Sequence, residues 1–233
     1  MFGLDDWIAG LSDGASVAVV LLVGALLGLR HATDPDHLAA MTTLVASGRE
    51  KAARSAAGLG AWWGIGHGLT LVALGVPILL AERFVPERVQ QGAETAVAIL
   101  IVFLAIRLLV RWRHGYFDLH AHPHADRVHR HAVRTPLGAL GIGLVHGIGG
   151  SAGVGLLLLA AIPSETLAVA SLLLLALFTA ISMAVVTAGF GRTLSARRIA
   201  AAPNVVVPAL GVASLAFGVW YAAAAWSLAT YPF

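Results

Sequence analysis

Six long apolar segments determine what this chain can fold into. The hydrocarbon core of a bilayer is about 30 Å thick and needs about 20 apolar residues for each crossing helix. Of the 233 residues, 58% are hydrophobic and 12% are charged, whereas roughly 25% of the residues in soluble domains are charged. The sequence therefore predicts an all-α, polytopic membrane helix bundle that forms a single transmembrane domain over residues 1–233. The approximate predicted spans are residues 16–46, 56–81, 91–112, 135–162, 166–190 and 205–228.

The basic residues indicate how these spans are oriented. They cluster after the first, third and fifth spans, and the positive-inside rule places such loops in the cytoplasm. Both termini are then expected outside the cell membrane. Since most of the arginines belong to these loops, the net charge of +3 does not indicate a nucleic-acid partner. The loop residues concerned are Arg49, Lys51, Arg54, Arg107, Arg111, Arg113, Arg127, Arg130, Arg134, Arg192, Arg197 and Arg198.

The first span is too long for one straight helix and contains a proline. Its 31 residues would extend roughly 46 Å as a helix. Pro35 lacks a backbone N–H and clashes with the carbonyl four residues earlier, that of His31. We expect a kink that frees this carbonyl oxygen inside a polar chamber, because irregular backbone at membrane depth is tolerated only where protein or a cavity surrounds it.

Two short segments suggest an internal repeat. Residues 28–31, Gly-Leu-Arg-His, resemble residues 143–146, Gly-Leu-Val-His, at an offset of 115 residues. This offset places three spans in each half, and an odd number of spans inverts the second half in the membrane. The pattern predicts a 3+3 inverted repeat, an architecture of secondary transporters.

Four ionisable side chains lie within seven residues of the first span. They are His31, Asp34, Asp36 and His37. Ionisable groups at membrane depth are rare and usually functional, and imidazole with carboxylate is a ligand set for divalent transition metals. On an unbroken helix His31, Asp34 and His37 would share one face, but a kink at Pro35 would allow Asp36 to join them. The alternative is that these four groups only hydrogen bond with one another and so position the helices.

This motif resembles the signature of the nickel/cobalt transporter family, in which His, four residues, Asp and His follow one another in an early transmembrane helix. Here it runs from His31 to Asp36 and His37, and the glycine-rich segments 64–68 and 143–153 are also similar to that family. The chain departs from longer members in having about six spans rather than eight, and in Pro35, where alanine is common. It resembles a shorter branch that includes urease-accessory permeases and metal-efflux proteins, so the direction of transport stays open.

The resemblance implies a permease for Ni²⁺ or Co²⁺, with the metal as transported substrate and no cofactor. It also implies metallochaperones or urease or hydrogenase maturation proteins as partners. The residues exclude other cargoes independently: the chain has no cysteine for Cu(I), and imidazoles do not suit Mg²⁺ or Ca²⁺. Zn²⁺ shares the same ligands. Lys51, the single lysine, is followed by Ala52, so the chain lacks a phosphate-binding loop and an ion gradient or membrane potential must drive transport.

Two further histidines lie in the middle of apolar spans. His67 and His146 are flanked by glycines, which let helix backbones approach closely. Each could be a metal ligand or a neutral histidine that hydrogen bonds a neighbouring helix. The resemblance favours the metal site, for which the predicted residues are His31, Asp34, Asp36, His37, His67 and His146.

Arg30 adds a charge beside the motif. With neutral histidines, Arg30, Asp34 and Asp36 sum to minus one, so a divalent cation would leave plus one. We expect Arg30 to pair with an aspartate when no metal is bound, which would keep metal affinity low enough for release. The alternative is that Arg30 extends toward the membrane interface.

The predicted cytoplasmic loop 113–134 is rich in histidine. Such tracts bind transition metals loosely, so the loop could gather or hand over ions, or it could be a solvated linker. Its histidines are His114, His120, His122, His124, His129 and His131.

A membrane enzyme is the remaining alternative. His31 followed by Asp36 also fits the His, four residues, Asp pattern of acyltransferases, in which a carboxylate orients a histidine base. His37 and the histidines of the later spans have no role in that chemistry, so transport is the preferred interpretation.

Overall fold

The computed structural model describes residues 17–46, 53–81, 85–117, 135–149, 162 and 164–230. All regular secondary structure in these ranges is helical, which confirms the predicted polytopic helix bundle. The helices are α1 (Val17–His31), α2 (Pro35–Ala46), α3 (Ala53–Leu80), α4 (Glu87–Arg113), α5 (Pro136–His146), α6 (Glu165–Ser195), α7 (Arg197–Ala200) and α8 (Pro203–Ala225).

Most of the predicted spans are present as helices. Helices α3, α4, α6 and α8 are long and apolar enough to cross a bilayer, and α1 with α2 forms a fifth candidate bent by 49°. The fourth predicted span, 135–162, begins with α5, a short apolar helix, and its residues 150–161 lie outside the described ranges.

The outer surface of the bundle is apolar. Ile99, Val185 and Val205 are 63%, 65% and 69% exposed, on three different helices. Polar side chains are buried instead, among them four histidines and two aspartates. An apolar exterior around a polar interior is what a lipid environment requires.

The break in the first span occurs where proline predicts it, with one difference. Pro35 is the first residue of α2, but the carbonyl of His31 is not left free. The backbone N–H of Asp34 donates to it across 3.1 Å. The expectation of a freed oxygen was wrong, because the turn between α1 and α2 supplies an N–H in place of the one that proline lacks.

Close helix contacts hold the segments around this break. Gly66 of α3 and Gly143 of α5 lie so near the opposite backbone that an added Cβ would meet the carbonyl oxygens of Leu140 and Trp63, respectively. Small residues permit this approach in membrane bundles. The side chain of Thr70 donates to the carbonyl of Leu144 across 3.0 Å, which adds a polar link between α3 and α5.

The other partners of the broken span are α6 and α8. Ser182 of α6 donates to the carbonyl of Leu29 across 2.8 Å, and Ser214 of α8 donates to that of Ala39 across 3.2 Å. Such interhelical hydrogen bonds each contribute about 0.6 kcal/mol on average within membranes. Together they fix α1 and α2 on either side of the turn.

The two segments of the proposed repeat end alike. α1 ends at His31 and α5 ends at His146, so the two histidines separated by 115 residues each close a helix. An inverted repeat with a broken first helix in each half requires this placement. The repeat itself stays a prediction, since residues 150–161 are not described.

Candidate metal site

The turn between α1 and α2 places the four motif side chains on two sides of one buried region. On the α1 side, Asp34 lies between two partners: its Oδ1 accepts from Arg30 Nη1 at 3.0 Å, and its Oδ2 lies 3.1 Å from His31 Nδ1. The expected pairing of Arg30 with an aspartate is therefore present. Asp34 sits beside His31 as an orienting carboxylate.

On the α2 side, Asp36 bridges two histidines. Its Oδ1 lies 3.1 Å from His37 Nδ1, and its Oδ2 lies 3.3 Å from His146 Nε2. His146 comes from α5, 110 residues away in sequence, and α5 reaches this position through its close contact with α3. The kink at Pro35 thus brings Asp36 into the cluster. In a straight helix, Asp36 would not share a face with His31 and His37.

His67 of α3 joins the cluster from the α1 side. Its Nε2 lies 3.1 Å from His31 Nε2. Two donor atoms each about 2.1 Å from one ion, a typical metal–imidazole distance, and 3.1 Å apart subtend about 95° at that ion. This is close to the angle between neighbouring ligands in octahedral coordination, so the pair could bind one cation.

Five predicted residues thereby form two sets of three side chains, and His37 belongs to both. One set is His31, His37 and His67, and the other is Asp36, His37 and His146. The ligand atoms of each set lie within 4.8 Å of one another. Asp34 is in neither set among the described residues.

Burial makes these polar groups costly in free energy unless they have partners. His37, His67 and His146 are fully buried, and Asp36 is 2% exposed. Within the described chain, His37 Nε2, His67 Nδ1 and His146 Nδ1 have no hydrogen-bond partner. A buried polar atom without a partner costs about 1–3 kcal/mol, and a cation coordinated by such nitrogens would offset that cost. Nitrogen and carboxylate donors fit a borderline divalent metal.

Trp63 completes one wall of the cluster. It is fully buried, with ring centroids 5.7 Å from His37 and 5.5 Å from His146. Trp63 is not among the residues that the sequence predicts for the site. Its spacing of four residues before His67 on α3 was the available signal, because such residues share a helix face.

The acyltransferase interpretation requires Asp36 to orient His31. Both Asp36 oxygens instead contact His37 and His146, and His31 contacts Asp34 and His67. The geometry does not support that pairing.

Of the six histidines in the predicted loop 113–134, His114 is described; it is exposed at the end of α4. The other five, and the loop as a domain element, lie outside the described residues.

Together these features define a multi-pass membrane protein with a broken helix and a buried cluster of imidazole and carboxylate groups. The chain is 30% identical over 218 residues to a urease accessory protein, UreH, from Bacillus sp. (strain TB-90); the match covers 90% of this chain and 92% of that protein. It therefore belongs to the nickel/cobalt transporter family, a family of transporters rather than enzymes. No protein-family model matches the chain, and no solved structure matches it.

Proposed function

We propose that this protein is a permease that moves Ni²⁺ or Co²⁺ across the cell membrane into the cytoplasm through the buried His/Asp cluster. The observation that carries the proposal is the meeting of four histidines and Asp36 from four helices at membrane depth. A cluster that only held helices together would rarely need so many ionisable groups in one place.

The choice of metal rests on the donors and on the family. Imidazole nitrogens with one carboxylate suit Ni²⁺, Co²⁺ and Zn²⁺, and affinity alone does not separate these ions. Membership of the nickel/cobalt family favours the first two. UreH is named as a urease accessory protein. By analogy, the ion delivered here would pass to a metallochaperone or to maturation proteins of urease or hydrogenase.

The membrane potential suffices to drive import. Moving a divalent ion inward gains about 4.6 kcal/mol per 100 mV, twice the value for one charge, which corresponds to roughly a thousandfold accumulation. In the orientation proposed from the loop arginines, both termini lie outside and loop 113–134 lies inside. Efflux through the same cluster is the second candidate, which the short-branch resemblance keeps open and which would need coupling to another ion.

Vesicle transport tests the proposal directly. In right-side-out membrane vesicles with a negative interior, we expect the wild-type protein to accumulate radioactive nickel. His37→Asn should reduce uptake to the level of vesicles without the protein, because His37 belongs to both ligand sets. His114→Asn is the matched control, since His114 is exposed, and should transport normally.

Two other results would indicate efflux or the absence of transport. Nickel that leaves right-side-out vesicles only when a proton gradient is imposed would establish efflux. Nickel flux that is the same with and without the wild-type protein, in either direction, would overturn the proposal.

A further inference from the structure

The two ligand sets cannot serve one fixed ion. Donor atoms bound to one ion at about 2.1 Å lie at most about 4.2 Å apart. In the described part of the chain, no group of three or more ligand atoms within 4.8 Å of one another contains both His67 and His146. An ion bound by His67 therefore has to move before His146 can bind it.

His37 is placed to remain in contact during this movement. Its ring centroid lies 4.6 Å from that of His31 and 5.0 Å from that of His67 on one side, and 4.4 Å from that of His146 on the other. His37 Nδ1 faces Asp36, whereas its Nε2 has no hydrogen-bond partner in the described chain. His37 therefore lies between the two sets and is the residue that they share.

The two sets differ in charge. His31, His37 and His67 are neutral donors, so a divalent ion among them keeps its full charge. Asp36 in the other set reduces the total to plus one. Because uncompensated charge is costly in a buried, low-dielectric region, the set with Asp36 should hold the ion more tightly. The imidazole set includes His31, which at 6% is the most exposed of the five ligands, and so lies nearer to solvent.

We propose that the transported ion occupies two overlapping positions in turn: a weaker one formed by His31, His37 and His67, and a tighter one formed by Asp36, His37 and His146. His37 is a ligand in both positions, while His31 and His67 are replaced by Asp36 and His146 as the ion moves. This inference rests on the proposed function and adds a pathway within the site. Because the neutral imidazole of His37 has one nitrogen lone pair and both sets need it, the cluster binds one ion at a time.

Cobalt spectroscopy on the purified full-length protein distinguishes two overlapping positions from one site that uses all the ligands. Co²⁺ serves as the probe because its visible absorption bands report the number and type of its ligands. The variants are His67→Asn, which changes only the weaker position, and His146→Asn, which changes only the tighter one. His114→Asn is again the control.

We expect the wild-type protein to bind one Co²⁺ tightly in the cluster, and His37→Asn to abolish this binding. His67→Asn should keep the wild-type affinity and spectrum but lose transport. His146→Asn should bind about tenfold or more weakly with an altered spectrum, since loss of even a residue behind the ligands costs 10–100-fold. Should His67→Asn fail to fold, His31→Asn alters the same position and should give the same pattern.

Equal losses of affinity and identical spectra in the variants of the two positions would overturn the inference and indicate one site that uses all the ligands. Two Co²⁺ ions bound at once in the wild-type protein, both of which are lost in His37→Asn, would also overturn it. Neither result would affect the proposed transport function, whereas absence of Co²⁺ and Ni²⁺ binding by the wild-type protein would contradict that function itself.

Discussion

Asp36 is the residue on which the electrostatics of the cluster depend. It is the single carboxylate in the two ligand sets of the described chain, and its two oxygens orient His37 and His146 from different helices. Asp34 is close in sequence but has different neighbours, because its oxygens contact Arg30 and His31. Two aspartates separated by one proline therefore have distinct environments.

This difference predicts unequal effects of the same substitution. Asp36→Asn removes the charge that compensates a bound cation, so we expect Ni²⁺ affinity to fall about tenfold or more. Asp34→Asn is the matched control and should reduce the affinity less, since Asp34 is outside both ligand sets. Calorimetric titration of both purified variants measures this. A larger loss in Asp34→Asn than in Asp36→Asn would show that the ligand assignment is wrong.

At the scale of helices, the site depends on the contact between α3 and α5. Gly143 faces the carbonyl oxygen of Trp63, one turn from His67 on α3, and Gly147 faces the carbonyl oxygen of His67 itself. These contacts set the distance at which His146 meets Asp36. Glycine at position 143 is therefore required by backbone approach rather than by flexibility.

Gly143→Ala should separate the two helices. The added Cβ would meet the Trp63 carbonyl, so we expect a loss of roughly 1–3 kcal/mol in stability, as for other overpacked sites, together with reduced transport. Gly141→Ala lies on the same helix, where a Cβ meets nothing within 4 Å, and should leave the protein as stable or slightly more stable. Thermal unfolding in detergent compares the pair, and equal melting temperatures would refute the packing role of Gly143.

The sequence predicts the helices well and the cluster partly. Apolar length and Pro35 locate the bundle and the break, because both act through local backbone chemistry. Spacing also identifies His31 and His37, which belong to one motif. The contact of Asp36 with His146 is not predictable in this way, since it depends on how α5 packs against α3 and α2. The same applies to Trp63, whose role is visible only once its neighbours are placed.

At the scale of the whole molecule, a permease must admit ions to a site sealed inside an apolar bundle. The proposed transport site is almost fully buried, so helices would have to move relative to one another for an ion to reach it from each side in turn. The predicted cytoplasmic loop 113–134 would lie outside the membrane and would not form part of the ion pathway through the bundle.

Deletion of residues 118–131 tests whether the loop is auxiliary. This deletion keeps Tyr116, whose ring centroid lies 3.7 Å from Arg111 Cζ, and the buried Phe117. We expect weaker nickel uptake at low nickel concentration and normal uptake at saturation, because a histidine-rich tract binds ions loosely without forming the pathway. Complete loss of uptake in a folded variant would show that the loop belongs to the pathway.

X-ray absorption at the nickel edge of the purified, nickel-loaded protein tests most directly whether the buried histidines bind the ion. We expect a first shell of nitrogen and oxygen at about 2.1 Å with the outer-shell scattering of imidazole rings, and we expect that scattering to decrease in His37→Asn but not in His114→Asn. A first shell of oxygen without imidazole scattering, or a spectrum unchanged by His37→Asn, would contradict the assignment of the cluster as the metal site.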